Sequence, residues 1–369
     1  MIYRPYGKTG KEVSVIGFGG MRFGKDEDYA AEVVRRANEL GINYFDTAPF
    51  YCNDRSQDIF GKAFKKMPGQ FYVSTKSSVN KEDTADKVRW RIEDSLMKMG
   101  LEKINFFHMW CIMDLNHYER VMTPGGAYEG ALKAKEEGLI DHLVFSTHCK
   151  GEDIEKIIND DVFEGVLLGY NVINHPYRQR GVDAALKKGI GVVTMNPLGG
   201  GLIPQHKDYF SFLTEREGET VSQAALRFNA AQEGITVVLA GMSSIEEVEE
   251  NVEVANHPIT VSKEKYYEIN SRLGEEMNSL CTTCGYCLKC PQKIMIHHYL
   301  EAYNLAILDG EEAMVRHLNW LKEIGTIKDT NPLPSECIAC GACETLCTQK
   351  LPIIERLKAV DDIMNKKIG

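Results

Sequence analysis

Eight short apolar runs recur along the chain, and between them lie stretches whose apolar positions return every three or four residues. The runs are VSVIGFG (13–19), INYFDT (42–47), FYVSTK (71–76), INFFHMW (104–110), LIDHLVFS (139–146), EGVLLGY (164–170), IGVVTM (190–195) and ITVVLAG (235–241). Their length and their content of Val, Ile and Phe predict strands. Segments such as YAAEVVRRANELG, DTADKVRWRIEDSLMKMG, AYEGALKAKEEG, YRQRGVDAALKKG and SIEEVEENVEVAN predict amphipathic helices. Gly41, Gly138 and Gly189 close helical segments directly before the next run, the stop signal of a short helix-to-strand turn.

Strands that alternate with helices point to a parallel sheet, and eight of them favour a closed (β/α)8 barrel, the TIM-barrel architecture of the α/β class. An open doubly wound sheet is the competing arrangement, but no GxGxxG follows a strand, and the early glycines of GFGGMRFG lead into a loop. HPIT (257–260) breaks the last helix, so the barrel is expected over residues 1–258. Residues 259–369 then hold a polar helical piece, SKEKYYEINSRLGEEM, and a small helical, cysteine-rich module.

Composition adds exclusions. With 43% hydrophobic and 26% charged residues the chain is ordinary globular material with a sizeable core. A net charge of −10 argues against nucleic acid and anionic membrane as partners. No stretch approaches the about 20 apolar residues of a spanning helix, and the N-terminus has no apolar run of signal-peptide length. A cytoplasmic location is expected. There, eleven cysteines read as metal ligands or reactive thiols before disulfides.

Eight of the cysteines fall in two runs separated by 46 residues: Cys281-x2-Cys284-x2-Cys287-x2-Cys290-Pro and Cys337-x2-Cys340-x2-Cys343-x3-Cys347. Three cysteines spaced by two can wrap three corners of a cubane from one loop, so two [4Fe–4S] clusters are expected, with tetrahedral four-cysteine zinc sites as the alternative. The runs resemble those of two-cluster ferredoxins, where the fourth ligand comes from the other motif. That resemblance implies one cluster on Cys281, Cys284, Cys287 and Cys347, and the other on Cys337, Cys340, Cys343 and Cys290. Two departures stand out: the first run closes with two intervening residues rather than three, and Thr348 replaces the usual proline.

Chemistry in the barrel should gather where strands end. Asp46, Tyr51 and Lys76 stand there, in GINYFDTAPFY and FYVSTK. A buried Lys76 ammonium held by Asp46 would favour the phenolate of Tyr51, whose ordinary pKa near 10 makes it a poor acid at neutral pH. Tyr51 could then pass a proton to a carbonyl oxygen; the bland alternative is a packing tyrosine beside a structural ion pair. With VSVIGFGGMR, NPLGGGL and LAGMSSIEEVEEN added, the chain resembles the aldo-keto reductases, in the branch with a C-terminal ferredoxin-like extension. The resemblance spans nearly all 369 residues.

The resemblance implies Asp46, Tyr51 and Lys76 as catalytic residues. The family's histidine on the fourth strand aligns with Trp110, and His108 lies two residues earlier on the same face. His108 is either a displaced catalytic histidine or a core residue. For a nicotinamide, the family's carboxamide-holding and ring-stacking positions read Ser146-Thr147, Leu167 and Met195 here. Ser243 is expected to begin the eighth helix as its cap, with amides that either meet a diphosphate or simply cap, and Glu250 and Asn251 match adenine contacts. Glu247 stands where many members carry an arginine for the 2′-phosphate, which favours NADH over NADPH.

Cys52, Cys111 and Cys149 each follow a strand end, as small residues tolerated there or as a redox or metal cluster with His108 or His148. The expected activity is interconversion of a carbonyl and an alcohol, with NAD(H) or cluster-delivered electrons and a ferredoxin- or flavodoxin-type redox partner. Two alternatives stand beside it: a nicotinamide-independent enzyme using flavin or the clusters, and an electron-transfer subunit with a non-catalytic barrel.

Overall fold

The computed structural model describes residues 1–277, 280–323 and 326–368, with side chains over 1–272, 280–323 and 326–366. An antiparallel hairpin of β1 (Tyr3–Pro5) and β2 (Glu12–Ser14) precedes the barrel. Eight parallel strands then close in chain order: β3 (Ile16–Gly19), β4 (Tyr44–Asp46), β5 (Tyr72–Ser77), β6 (Ile104–Ile112), β7 (Ile140–Thr147), β8 (Gly165–Gly169), β9 (Gly191–Met195) and β10 (Val237–Gly241), which pairs back onto β3. Each apolar run carries one of these strands, and closure leaves no free edge. The hairpin is new relative to the sequence reading.

The barrel interior is filled at one end by Tyr6, Tyr44, Tyr72, Phe106, Val144 and Leu167, among others. Tyr6, from the hairpin turn, enters this core with its ring 4.2 Å from Phe106 and stacked on Tyr44 at 6.1 Å. A Cβ at Gly191 would lie 2.3 Å from the Tyr6 ring and one at Gly165 2.4 Å from its hydroxyl, so glycine at both strand starts makes room for the plug. Strand alternation then sets the next layer. Two residues beyond Tyr44, Tyr72 and Phe106 on the same face come Asp46, Ser74 and His108, and the register pairs Asp46 with Ser74 and Lys76 with His108.

The chain divides into two compact units, Met1–Leu198 with Phe210–Ser271, and Gly199–Tyr209 with Arg272–Gly369. Residues 259–271, which the sequence reading assigned to the C-terminal part, fall in the first unit. Tyr266 of the helix Lys263–Met277 stacks on Phe228 at 6.0 Å, and Ser262 donates to Glu215 at 2.5 Å. In the second unit the helices Ile296–Asp309, Glu311–Glu323 and Ile353–Ile368 contribute to a core that also takes in Cys281, Cys287, Cys343 and Cys347. Among the described residues no helix is long and apolar enough to cross a membrane.

Candidate active site and cysteine cavities

Lys76 and Asp46 meet inside the barrel, both buried. The Lys76 Nζ donates to Asp46 Oδ1 at 2.5 Å, to Oδ2 at 2.6 Å and to the Thr47 carbonyl at 2.7 Å. Ser74 Oγ donates to the same Asp46 Oδ1 at 2.5 Å, which fixes the carboxylate from a second side. Burial pulls the Lys76 pKa below the ordinary lysine value, with the Asp46 charge opposing. The ammonium faces the ring of Tyr51, 5.4 Å from its centroid.

Tyr51 stands on the loop between β4 and the helix Ser56–Phe64. Four residues around it, Phe50, Cys52, Asn53 and Asp54, have φ of 71°, 54°, 56° and 65°, a left-handed run that non-glycine residues rarely adopt. The Phe50 amide donates to Asp54 Oδ1 at 2.8 Å and Arg55 Nε donates to the Cys52 carbonyl at 3.1 Å, holding the loop in this shape. Trp110 meets Tyr51 edge-on at 5.7 Å and lies nearly parallel to Phe50 at 6.2 Å. Phe50 in turn has Lys81 Nζ 3.7 Å from its centroid.

His108 sits one layer deeper, fully buried, with Nε2 4.0 Å from Asp46 Oδ1. Burial, reinforced by the Lys76 charge, pushes its pKa well below the ordinary imidazole value, so it is neutral at physiological pH. The residue bordering Tyr51 is therefore Trp110, while His108 adjoins the ion pair.

The cofactor candidates are spread over three elements. Ser146 lies on β7, and its Oγ accepts the Cys111 amide at 2.9 Å, where Cys111 (φ 62°) sits in an irregularity of β6. The expectation that Ser243 caps the eighth helix is corrected. The cap of Ile245–Glu253 is Ser244, whose Oγ accepts the Glu247 amide at 3.3 Å. Ser243 donates its amide and hydroxyl to Glu247 Oε2 at 2.6 and 3.0 Å, because a glutamate in the first turn can reach back past the cap. Glu250 accepts from Thr220 Oγ1 at 2.6 Å, and Asn251 is buried.

Cys52, Cys111 and Cys149 place their sulfurs on different partners: the Gly20 carbonyl at 3.5 Å, Met113 Sδ at 3.6 Å and the Ile112 carbonyl at 3.5 Å. Among the described residues no three His, Cys, Asp or Glu side chains converge on a single ion. The sequence reading also missed buried Arg178, which donates to the carbonyls of Gly169 and His148, both at 3.2 Å. Nothing in the sequence marks it. Ser74 could have been found, since alternation along VSTK places it on the face of Lys76.

The other eight cysteines line two cavities in the second unit. One is bordered by Cys281, Cys284, Cys287 and Cys347; the other by Cys290, Cys337, Cys340 and Cys343. The first cavity has polar neighbours. Thr348 Oγ1 lies 3.5 Å from Cys284 Sγ, and the amides of Thr283 and Leu351 donate to Cys281 Sγ and Cys347 Sγ, both at 3.4 Å. Buried Asn304 clamps the Cys281 backbone, accepting its N–H at 2.8 Å and donating to its C=O at 2.7 Å. Asn304→Ala leaves both buried groups unpartnered, at about 1–3 kcal/mol each. The variant is expected to melt earlier anaerobically and to retain less iron, as thermal denaturation with an iron assay would measure.

Residues 15–272 match the model of the aldo/keto reductase family. The chain belongs to that family. Residues 280–351 match a 4Fe-4S dicluster domain, which sets the zinc alternative aside. This aldo/keto reductase is 29% identical over 280 residues to L-galactose dehydrogenase of Arabidopsis thaliana, covering 68% of this chain and 86% of that protein. It is 24% identical over 268 residues to pyridoxine 4-dehydrogenase of Escherichia coli, covering 66% and 89%. The holo form of an aldo-keto reductase from Bacillus halodurans superposes with a TM-score of 0.64 at 21% identity, over 74% of this chain and 96% of that one, a likeness of fold. This aldo/keto reductase is thus an oxidoreductase whose barrel is joined to an iron–sulfur module.

Proposed function

We propose that the barrel interconverts a carbonyl and an alcohol on a small molecule, with Tyr51 giving or taking the proton at the substrate oxygen. One observation carries this reading: a buried Lys76 ammonium, locked onto Asp46, faces the Tyr51 ring at 5.4 Å. A fixed cation beside a phenol favours the phenolate and draws its pKa from about 10 toward the working range. Lys76 and Asp46 are only 1% and 6% exposed at their side chains, so little water screens that field. Neutral His108 backs the ion pair without adding charge, and Trp110 forms a wall of the site beside Tyr51.

A nicotinamide dinucleotide, when bound, would supply the hydride for the carbonyl carbon. Ser146 fits the carboxamide end: its oxygen accepts the Cys111 amide, which leaves the hydroxyl proton to donate. Ser243 would adjoin the diphosphate, and Glu250 and Asn251 the adenine. The Glu247 carboxylate, drawn onto Ser243, fits a ribose without a phosphate and repels one that carries it. Glu247→Arg is expected to move the preference from NADH toward NADPH by about tenfold or more, the scale of one charge-assisted hydrogen bond. Dissociation constants for the two nucleotides measure it.

In the dicluster module, Cys281, Cys284, Cys287 and Cys347 would hold one [4Fe–4S] cluster, and Cys290, Cys337, Cys340 and Cys343 the other. Four thiols around each cavity form the cubane donor set. The clusters would exchange single electrons with a ferredoxin- or flavodoxin-type carrier. Anaerobic titration with NADH and then NADPH, following nucleotide binding, cluster absorbance and EPR on iron-counted protein, tests the whole reading. Tight NADH binding supports it. Absence of binding by either nucleotide overturns the nicotinamide assignment and leaves the clusters or a flavin as the electron source.

A further inference from the structure

The two cysteine cavities differ in how far they reach the surface of the module. Cys340, which borders one cavity together with Cys290, Cys337 and Cys343, is the one exposed cysteine among the described residues. Ile338, on the same cavity, is 59% exposed, and Leu288, in the turn Tyr286–Lys289, is 54% exposed. That turn packs against the helix Ala342–Leu346. Pro291 and Gln292 border the cavity from one cysteine run, Ile338 and Gly341 from the other, so the two runs meet at one edge. Large apolar side chains left in water there mark a contact surface.

The charge at this edge departs from that of the chain. The net charge is −10, yet no acidic residue stands between Glu276 and Glu301, and Lys289 and Lys293 flank the stretch Cys290–Gln292 on the cavity border. Both lysines are exposed, and neither pairs with a carboxylate among the described residues. The carboxylates of the facing run are tied to backbone amides: Glu336 accepts from Leu333 at 2.7 Å and Glu344 from Ile354 at 2.9 Å.

We propose that this edge docks a soluble one-electron carrier of the ferredoxin type with an acidic face, and that electrons enter the module through the cluster of Cys290, Cys337, Cys340 and Cys343. The inference rests on the dicluster reading. Electron tunnelling falls off steeply with distance, so a carrier must reach the edge where a cluster ligand is exposed. The carrier's centre is oxidised by one electron and the cluster reduced by one, with no bond made or broken. A carrier with its own iron–sulfur centre matches that one-electron step. Ile338 and Leu288 supply the apolar centre of the contact and the lysines its charged rim, and redox encounters need only a small patch of this kind. In a symmetric pairing of two copies the same lysines would face each other, which disfavours this chain as its own partner.

The test uses full-length anaerobic holoprotein, with a reduced acidic ferredoxin as electron donor. Iron and sulfide are counted, and dithionite gives the total cluster bleaching. Iron well short of about eight per chain would defeat the dicluster reading itself. With both clusters present, stopped-flow bleaching by the ferredoxin is expected to slow as salt is added. Lys289→Glu combined with Lys293→Glu should lower the second-order rate by about tenfold or more at low salt, and the gap should close at high salt. Dithionite should still bleach both clusters of that variant in full. Ile338→Ser should slow the ferredoxin reaction at every salt concentration; should it fail to hold iron, Leu288→Ser takes its place. A rate that ignores both salt and the lysine changes, at full iron content, overturns the surface. So does a holoprotein that sediments as a dimer and turns monomeric on Ile338→Ser. A flavodoxin that bleaches the clusters where the ferredoxin does not overturns the choice of partner.

Discussion

Tyr51→Phe is expected to lower carbonyl turnover by about 10²–10⁴-fold, the usual share of a positioned acid–base group, while leaving nucleotide binding within about twofold. The ring persists in that variant, so its edge contact with Trp110 and its face toward Lys76 persist as well. Only the proton is lost. Lys76→Met should cost as much for a different reason. It removes the cation that tunes the phenol and strands the Asp46 carboxylate in a buried setting, where one-sided loss of a pair costs about 3–5 kcal/mol. A melting curve therefore separates the two variants: Tyr51→Phe holds its Tm and Lys76→Met does not. Full turnover in Tyr51→Phe would discard the proton-transfer role and favour a barrel that serves only as a body for the electron-transfer module.

Cys347→Ser is expected to remove about half of the iron, and the cluster it removes is the informative part. Cys347 borders the cavity of Cys281, Cys284 and Cys287, away from its own sequence run. Pairing it with Cys281→Ser should therefore cost no more iron than either change alone. Pairing it with Cys340→Ser should empty both sites. Two mutations that break one object do not add; two that break separate objects do. The reverse pattern would mean that each run of four holds its own cluster.

Much of this was readable from the chain, and the boundaries of legibility are physical. Buried parallel strands announce themselves as short apolar runs because both of their faces are covered, and all eight did so. Asp46 and Lys76 were readable because strand alternation assigns a face without knowledge of the neighbours. The hairpin was not, since three-residue strands with one mostly exposed face carry no pattern to detect. The helix cap was displaced by one residue because two serines stand side by side and the choice is made by where Glu247 reaches. Asn304 was invisible for another reason. Its partner is 23 residues away, and an asparagine inside a helix looks like any other until the cysteine loop folds onto it. His108 and Trp110 fall between these cases: alternation placed both on one face, while which of them borders Tyr51 depends on a loop of left-handed residues that no periodicity foretells.

The tyrosine plug at the hairpin end has a consequence for traffic. With Tyr6 wedged among Tyr44, Tyr72 and Phe106, and glycines at two strand starts admitting its ring, the shaft of the barrel is blind on that side. Whatever reaches Lys76 must come and go by the same door. Water, protons and reactants queue at one threshold, so a spent molecule lingering there bars the next arrival, and the pace of departure becomes a property of the loops around Phe50 and Trp110.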